Sequence, residues 1–159
     1  MEKLILDLQD HLQQTCGSLL GTVDEDYGQL QMMFQEEAAS DTYPITSPAL
    51  LINTQSVSWN NLAKAAQKGT ATVVVTLAID CYDDTHIDQP QRTLIEDRLT
   101  LKERIHWALQ NFKPSGATPL VRTQTRLYHL PHLWKAYETT YLCEVTDTQP
   151  PNQSTQNTP

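Results

Sequence analysis

The stretch Thr70–Tyr82, TATVVVTLAIDCY, decides the fold. Ala71, Val73, Val75, Leu77, Ile79 and Cys81 fall on one side of it, and Thr70, Thr72, Val74, Thr76, Ala78, Asp80 and Tyr82 on the other. A β-strand turns successive side chains to opposite faces, so this alternation predicts a long strand with one buried face. Upstream, the apolar, β-prone run Ala49–Thr54 follows Pro48 and predicts a shorter strand, joined to the long one through QSVSWNNLAKAAQKG. Downstream, Thr93 and Glu96 form a T-x-x-E pattern, in which each side chain can satisfy a backbone N–H at the other's position, so a helix should start there. Leu94, Leu101, Ile105, Ala108 and Phe112 share its inner stripe, Leu109 widens that stripe, and KPSG supplies the stop.

Two more strands follow, Leu120–Leu130 and Trp134–Asp147, joined across a link of hairpin length around LPHL. In the second, Tyr137, Thr139, Tyr141, Cys143 and Val145 share one face, against Glu138, Thr140 and Glu144. At the other end of the chain, Leu4, Ile5, Leu8, Leu12, Leu19 and Leu20 lie near helical spacing, predicting an amphipathic helix that stops near Gly17 or Gly21. The stretch VDEDYGQLQMMFQEEAASDTYPITSP, with a short apolar patch at Leu30–Phe34, reads mostly as loop, with room for one short strand. The order helix, strand, long strand, helix, strand, strand predicts an α+β domain over residues 1–147: an antiparallel (mixed) β-sheet with two amphipathic helices packed on one face. From Thr148 onward, TQPPNQSTQNTP holds no aliphatic or aromatic residue, so a disordered C-terminal tail is expected.

Composition narrows the function classes. Cys16, Cys81 and Cys143 are odd in number and far apart, which fits a reducing, cytoplasmic compartment better than a disulfide framework. The charged N-terminal segment and the lack of any apolar run near ~20 residues predict neither signal peptide nor membrane helix. A net charge of −8 with no basic stripe argues against direct nucleic-acid binding. The charge is unevenly spread: residues 1–88 hold 3 basic and 13 acidic side chains, a balance of −10, while residues 89–159 hold 8 and 6, a balance of +2. Such a split suits head-to-tail contact between copies. The residues expected at that contact are Glu36, Glu37 and Asp41 from the acidic half and Arg122, Arg126 and Lys135 from the basic half, with Trp134 as an aromatic anchor.

Constellations that carry chemistry are sparse. Asp80, Asp83, Asp84, His86 and Asp88 in DCYDDTHID offer oxygen ligands for a hard cation, yet without the glycine and distal glutamate of an EF-hand loop. His129 and His132 stand at H-x-x-H spacing and would need a third ligand such as His106 to hold zinc, but Leu130 and Pro131 between them suggest a solvated turn. Cys81 and Cys143 sit on the apolar faces of their strands, where a thiol packs as a small hydrophobe. Trp59, Trp107 and Trp134 divide between core packing and interface roles. No nucleophile elbow, Walker-type loop or dinucleotide fingerprint occurs. No catalytic residue, cofactor or bound metal is expected. A rival reading is a small ligand-binding or adaptor module with an apolar pocket lined by Val73, Val75, Leu77, Tyr137 and Tyr141. A metal-dependent enzyme using Asp80–Asp88 ranks third.

One longer stretch, YPITSPALLINTQSVSWNNLAKAAQKGTATVVVTLAIDCYDDT, resembles the tail terminator (tail-completion, neck) proteins of long-tailed bacteriophages and prophages, in the version carried by Bacteroides-type prophages. The resemblance rests on a proline-led strand (Pro48–Ile52), a tryptophan-bearing loop (Trp59), a Q-x-G turn (Gln67, Gly69) and the long strand Thr70–Tyr82. The upstream DEDYGQL and the closing strand Tyr137–Asp147 also fit. It implies a structural virion protein that forms a ring, by family analogy a hexamer, capping the tail tube and joining it to the head-side connector. It carries over no catalytic residue.

Overall fold

The computed structural model describes residues 2–34, 45–63, 66–83 and 85–148. In chain order the elements are α1 (Glu2–Cys16), β1 (Thr22–Glu25), α2 (Gln29–Met33), β2 (Ala49–Ala63), β3 (Ala66–Asp80), α3 (Thr93–Leu109), β4 (Val121–Leu130) and β5 (Trp134–Thr148). The strands form a five-stranded sheet in the order β1-β2-β3-β5-β4. β1 runs parallel to β2 and every other pairing is antiparallel, so the fold is α+β with a mixed sheet. No described helix is long and apolar enough to cross a membrane.

The face of β3 expected to be buried is buried, but Val74, Thr76 and Ala78 on its other face are buried too, so from Val73 to Ile79 the strand is covered on both sides and not on one. Ala71, Val73, Val75, Leu77 and Ile79 are buried beneath α1 and α3, together with Leu50 and Ile52 of β2 and Tyr141 and Cys143 of β5. From α1, Leu4, Leu8, Leu12 and Cys16 enter the same core at helical spacing, and from α3, Ile105 and Leu109. Burying about ten such side chains at roughly 1.5–3 kcal/mol each gives the sheet face most of its gross stabilisation. The two helices are locked together where His11 of α1 stacks on Phe112 at 3.8 Å and its Nε2 donates to the Ala108 carbonyl at 2.8 Å.

Three departures from the sequence reading have physical causes. First, the tryptophan-bearing segment is not a loop: β2 continues through it to Ala63, paired to β3 across Trp59↔Gly69. Gly69 is therefore a strand residue and not part of a Q-x-G turn. A Cβ there would lie 2.5 Å from Val57 Cγ1 and 2.8 Å from Trp59 Cε3, so the glycine makes room for the cross-strand indole. Second, the segment read mostly as loop with one short strand forms the short strand β1 and also a helix, α2, which spans most of the apolar patch at Leu30–Phe34. Gln29 is buried and fastens the turn between them, its Nε2 donating to Glu25 O at 2.6 Å and its Oε1 accepting from Tyr27 N at 2.9 Å. Leu30 then packs on the sheet's other face with Leu51, Ala78 and Trp134, a second, smaller core. Third, the T-x-x-E pair makes no capping box. A 3-10 turn at Pro90–Arg92 precedes α3, Thr93 already has helical dihedrals, and its hydroxyl donates back to Pro90 O at 3.2 Å.

Candidate functional site

On the helical face of the sheet, directly opposed residues of β4 and β5 point the same way, so Arg122 lies beside Tyr141, Thr125 beside Thr139 and Leu127 beside Tyr137. β4 is the outermost strand, and all its residues are exposed except the partly buried Tyr128 and Leu130. α3 reaches this side of the sheet without filling it. Only Ile105 and Leu109 of its residues are buried, while Ile95, Leu99 and Trp107 face outward. Between α3 and β4 a cavity of about 370 Å³ remains. Its floor is Leu50, Val75, Leu77 and Ile105, and its rim carries Lys102, Glu103, His106 and Arg122. Of the apolar pocket residues expected from the sequence, Val75, Leu77, Tyr137 and Tyr141 line it, whereas Val73 belongs to the closed core.

The polar groups of this cavity include two separate pairs. His106 Nδ1 and the Tyr141 hydroxyl are hydrogen-bonded at 3.1 Å, and the Lys102 ammonium lies 5.7 Å from the centre of the Tyr137 ring. Burial, reinforced by the nearby Arg122 charge, lowers the His106 pKa, which keeps the imidazole neutral at neutral pH. Burial pushes the Tyr141 phenol up to about 12, with Arg122 opposing the shift. The Arg122 guanidinium makes no ion pair with any described residue. Arg126, in contrast, points to the other face, where Nε and Nη2 donate to Glu138 Oε1 at 3.0 and 2.6 Å. Sequence reasoning missed Lys102 and weighed His106 only as a third zinc ligand; both become neighbours of Arg122 only through the packing of α3 over β5.

The other singled-out residues are dispersed. Asp80 Oδ1 accepts from the Ser47 hydroxyl at 2.6 Å, and Ser47 Oγ accepts from Asp80 N at 3.1 Å, so this carboxylate closes a loop. Asp84 lies outside the described residues. Asp83, Cys81, His129 and His132 border a second cavity of about 360 Å³, but Arg98 and Lys135 border it too. Among the described residues no group of three or more His, Cys, Asp and Glu side chains is placed to hold a metal ion. His132 stacks on Phe34 at 6.0 Å and His106 on Tyr141, on opposite faces of the sheet, so the three histidines do not converge. Cys16 and Cys143 are buried, and burial raises the Cys143 thiol pKa.

Of the expected interface residues, Arg122 and Arg126 are exposed on β4, and Lys135 is partly buried at the start of β5. Trp134 is 8% exposed and meets Phe34 edge-on at 6.0 Å in the smaller core, while Trp107 is 68% exposed. Glu36, Glu37 and Asp41 lie outside the described residues.

No protein-family model matches the chain, and no curated protein matches it. Among solved structures, a chain of the virion of a native gene transfer agent (GTA) particle is similar in fold, with a TM-score of 0.63 and 8% sequence identity, over 91% of this chain and 95% of that one.

Proposed function

We propose that this protein is a structural component of a phage-like particle, of the tail terminator or neck type, acting by assembly with other proteins and not by catalysis. The observation that carries this reading is the fold shared with a virion chain over nearly the whole of both chains. Of the tail-terminator features of the sequence, the proline-led strand and the long alternating strand are present as β2 and β3, whereas the tryptophan-bearing loop and the Q-x-G turn are strand residues. In this reading copies join head to tail into a ring that caps the tail tube and meets the head-side connector. A heterologous contact of this kind closes when the rotation between copies permits.

The sheet supplies two dissimilar outer edges for such a contact. β1 carries Asp24 and Glu25 at one edge, and β4 carries Arg122 and Arg126 at the other. In the proposed ring Arg122, Arg126 and Lys135 face acidic residues of the next copy, with Glu36, Glu37 and Asp41 among them, and the buried Trp134 backs the strand that bears Lys135. The test is light scattering of the chain mixed with a phage tail-tube protein, at low and high salt. Association should weaken as salt rises, because exposed pairs are screened beyond a Debye length of about 8 Å at physiological ionic strength. Arg122→Glu with Arg126→Glu should weaken it further. Absence of any complex with tube or connector proteins under all conditions overturns the reading.

A further inference from the structure

We propose that the cavity between α3 and β4 is a binding site for a carboxylate carried on an apolar body, presented by a side chain of a neighbouring protein chain. The inference rests on the cavity and on the outer edge of β4 beside it, and does not require the ring reading.

The floor is apolar, through Leu50, Val75, Leu77 and Ile105, and two cations stand at the rim, Lys102 and Arg122. Glu103 is also at the rim, which leaves a local excess of one positive charge on a chain whose net charge is −8. Arg122 has no carboxylate partner among the described residues, although the chain carries 19 acidic side chains against 11 basic ones. Arg126, farther along the same strand, already holds Glu138 in a two-point contact. A planar guanidinium beside an apolar floor fits one carboxylate with a hydrocarbon stem, the stem on Val75 and Leu77 and the oxygens toward Arg122 and Lys102. His106 and the Tyr141 hydroxyl satisfy each other at 3.1 Å, so they form a neutral wall and do not compete for the anion.

The position of the cavity assigns the source. It opens beside β4, whose outer edge pairs with no other described strand beyond the point where Gln110 and Asn111 cover its start. An extended segment of another chain can lie along that edge and turn alternate side chains toward the helical face, where Arg122 and Thr125 stand.

Calorimetric titration of the full chain tests this with phenylbutyrate, its neutral amide, and the capped peptides Leu-Glu-Leu and Leu-Gln-Leu. The acid should bind about tenfold or more tightly than the amide, the expected scale for a charge-assisted hydrogen bond. Arg122→Gln and Lys102→Gln should each remove most of that difference, whereas Arg126→Gln, on the other face, should leave it unchanged. Arg122 is exposed, and an unaltered melting curve confirms that its variant folds. Equal binding of acid and amide, or an equal loss in Arg126→Gln, overturns the carboxylate assignment. The Leu-Glu-Leu peptide should bind more tightly than phenylbutyrate. If it binds equally or more weakly, or if mass spectrometry finds a small organic acid retained through purification, the neighbouring-chain source is wrong. Failure of ring assembly would leave these affinities untouched.

Discussion

The two long helices lie on the same face of one sheet and do opposite things there. α1 buries Leu4, Ile5, Leu8, Leu12 and Cys16 within 15 residues. α3 is longer, 17 residues, and buries only Ile105 and Leu109. Both sequences carry an apolar stripe at helical spacing, so the stripe alone does not distinguish them. The difference lies beneath each helix. The core under α1 is built from aliphatic side chains of β2 and β3, which interdigitate with leucines. On the β4 side of α3 the sheet presents Tyr137, Thr139, Arg122 and Thr125, and the helix answers with Lys102 and His106, leaving a cavity in place of a packed layer. A periodic pattern states which way a helix turns; the opposing strand decides whether that face is closed.

The largest effect should come from exchanging equivalent leucines. Leu12 is fully buried, so Leu12→Ala should cost about 2–5 kcal/mol in chemical denaturation, the transfer loss plus an unfilled void. Leu99, 46% exposed on α3, should lose no more than about 0.5 kcal/mol on the same truncation. Similar costs at the two positions would mean that the outward face of α3 is packed in solution and that the contrast between the helices is wrong.

A smaller effect tests how closed the cavity is. Tyr141 is 1% exposed, and its pKa is pushed up to about 12 from an ordinary value of 10.0. Because the folded value lies above the unfolded one, this phenol contributes stability that is complete below about pH 10 and is lost as pH rises through about 12. The contribution is about 2–3 kcal/mol, since each tenfold change in an ionisation equilibrium is worth about 1.36 kcal/mol. Alkaline titration of tyrosinate absorbance should show a late-ionising tyrosine that Tyr141→Phe removes. If Tyr141 ionised near pH 10, water would fill the cavity floor and the α3 side would be open rather than merely unfilled.

How much of this was legible in the sequence depends on the range of the interaction involved. The faces of β3 and β5 could be read because period-two alternation is local and strong, and with them four of the five residues expected around an apolar pocket. α1 could be read for the same reason. β1 could be read only as room for one short strand and α2 not at all, because their stability comes from the buried amide of Gln29 and from Leu30 reaching Trp134, more than 100 residues away in sequence. Gly69 looked like a turn residue because glycine usually marks one, yet its role is to clear space for Trp59 on the next strand. The charged rim was half legible. Arg122 stood out as a basic residue in a basic half, but its pairing with Lys102 and His106 requires the fold.

The smallest effect concerns the start of α3, where a sequence signature and the structure disagree. If Thr93 and Glu96 formed a capping box, replacing either by Ala would lose about 1 kcal/mol, because a backbone N–H at the helix start would lose its partner. In the structure Thr93 has φ −58° and ψ −26°, so it is already helical, and its hydroxyl bonds an exposed Pro90 carbonyl that water can also satisfy. Pro90 occupies the first turn, where its missing N–H costs nothing, and this start of the helix draws on no side-chain cap. Thr93→Ala should therefore change stability by less than about 0.5 kcal/mol, the lost hydroxyl contact being offset by the better helix propensity of alanine. Glu96→Ala should do the same, and the double variant should equal the sum of the two, since groups that do not touch do not couple. A coupling energy of about 1 kcal/mol between the two positions would show that the capping box forms in solution, with Thr93 as a non-helical N-cap and α3 starting at Leu94.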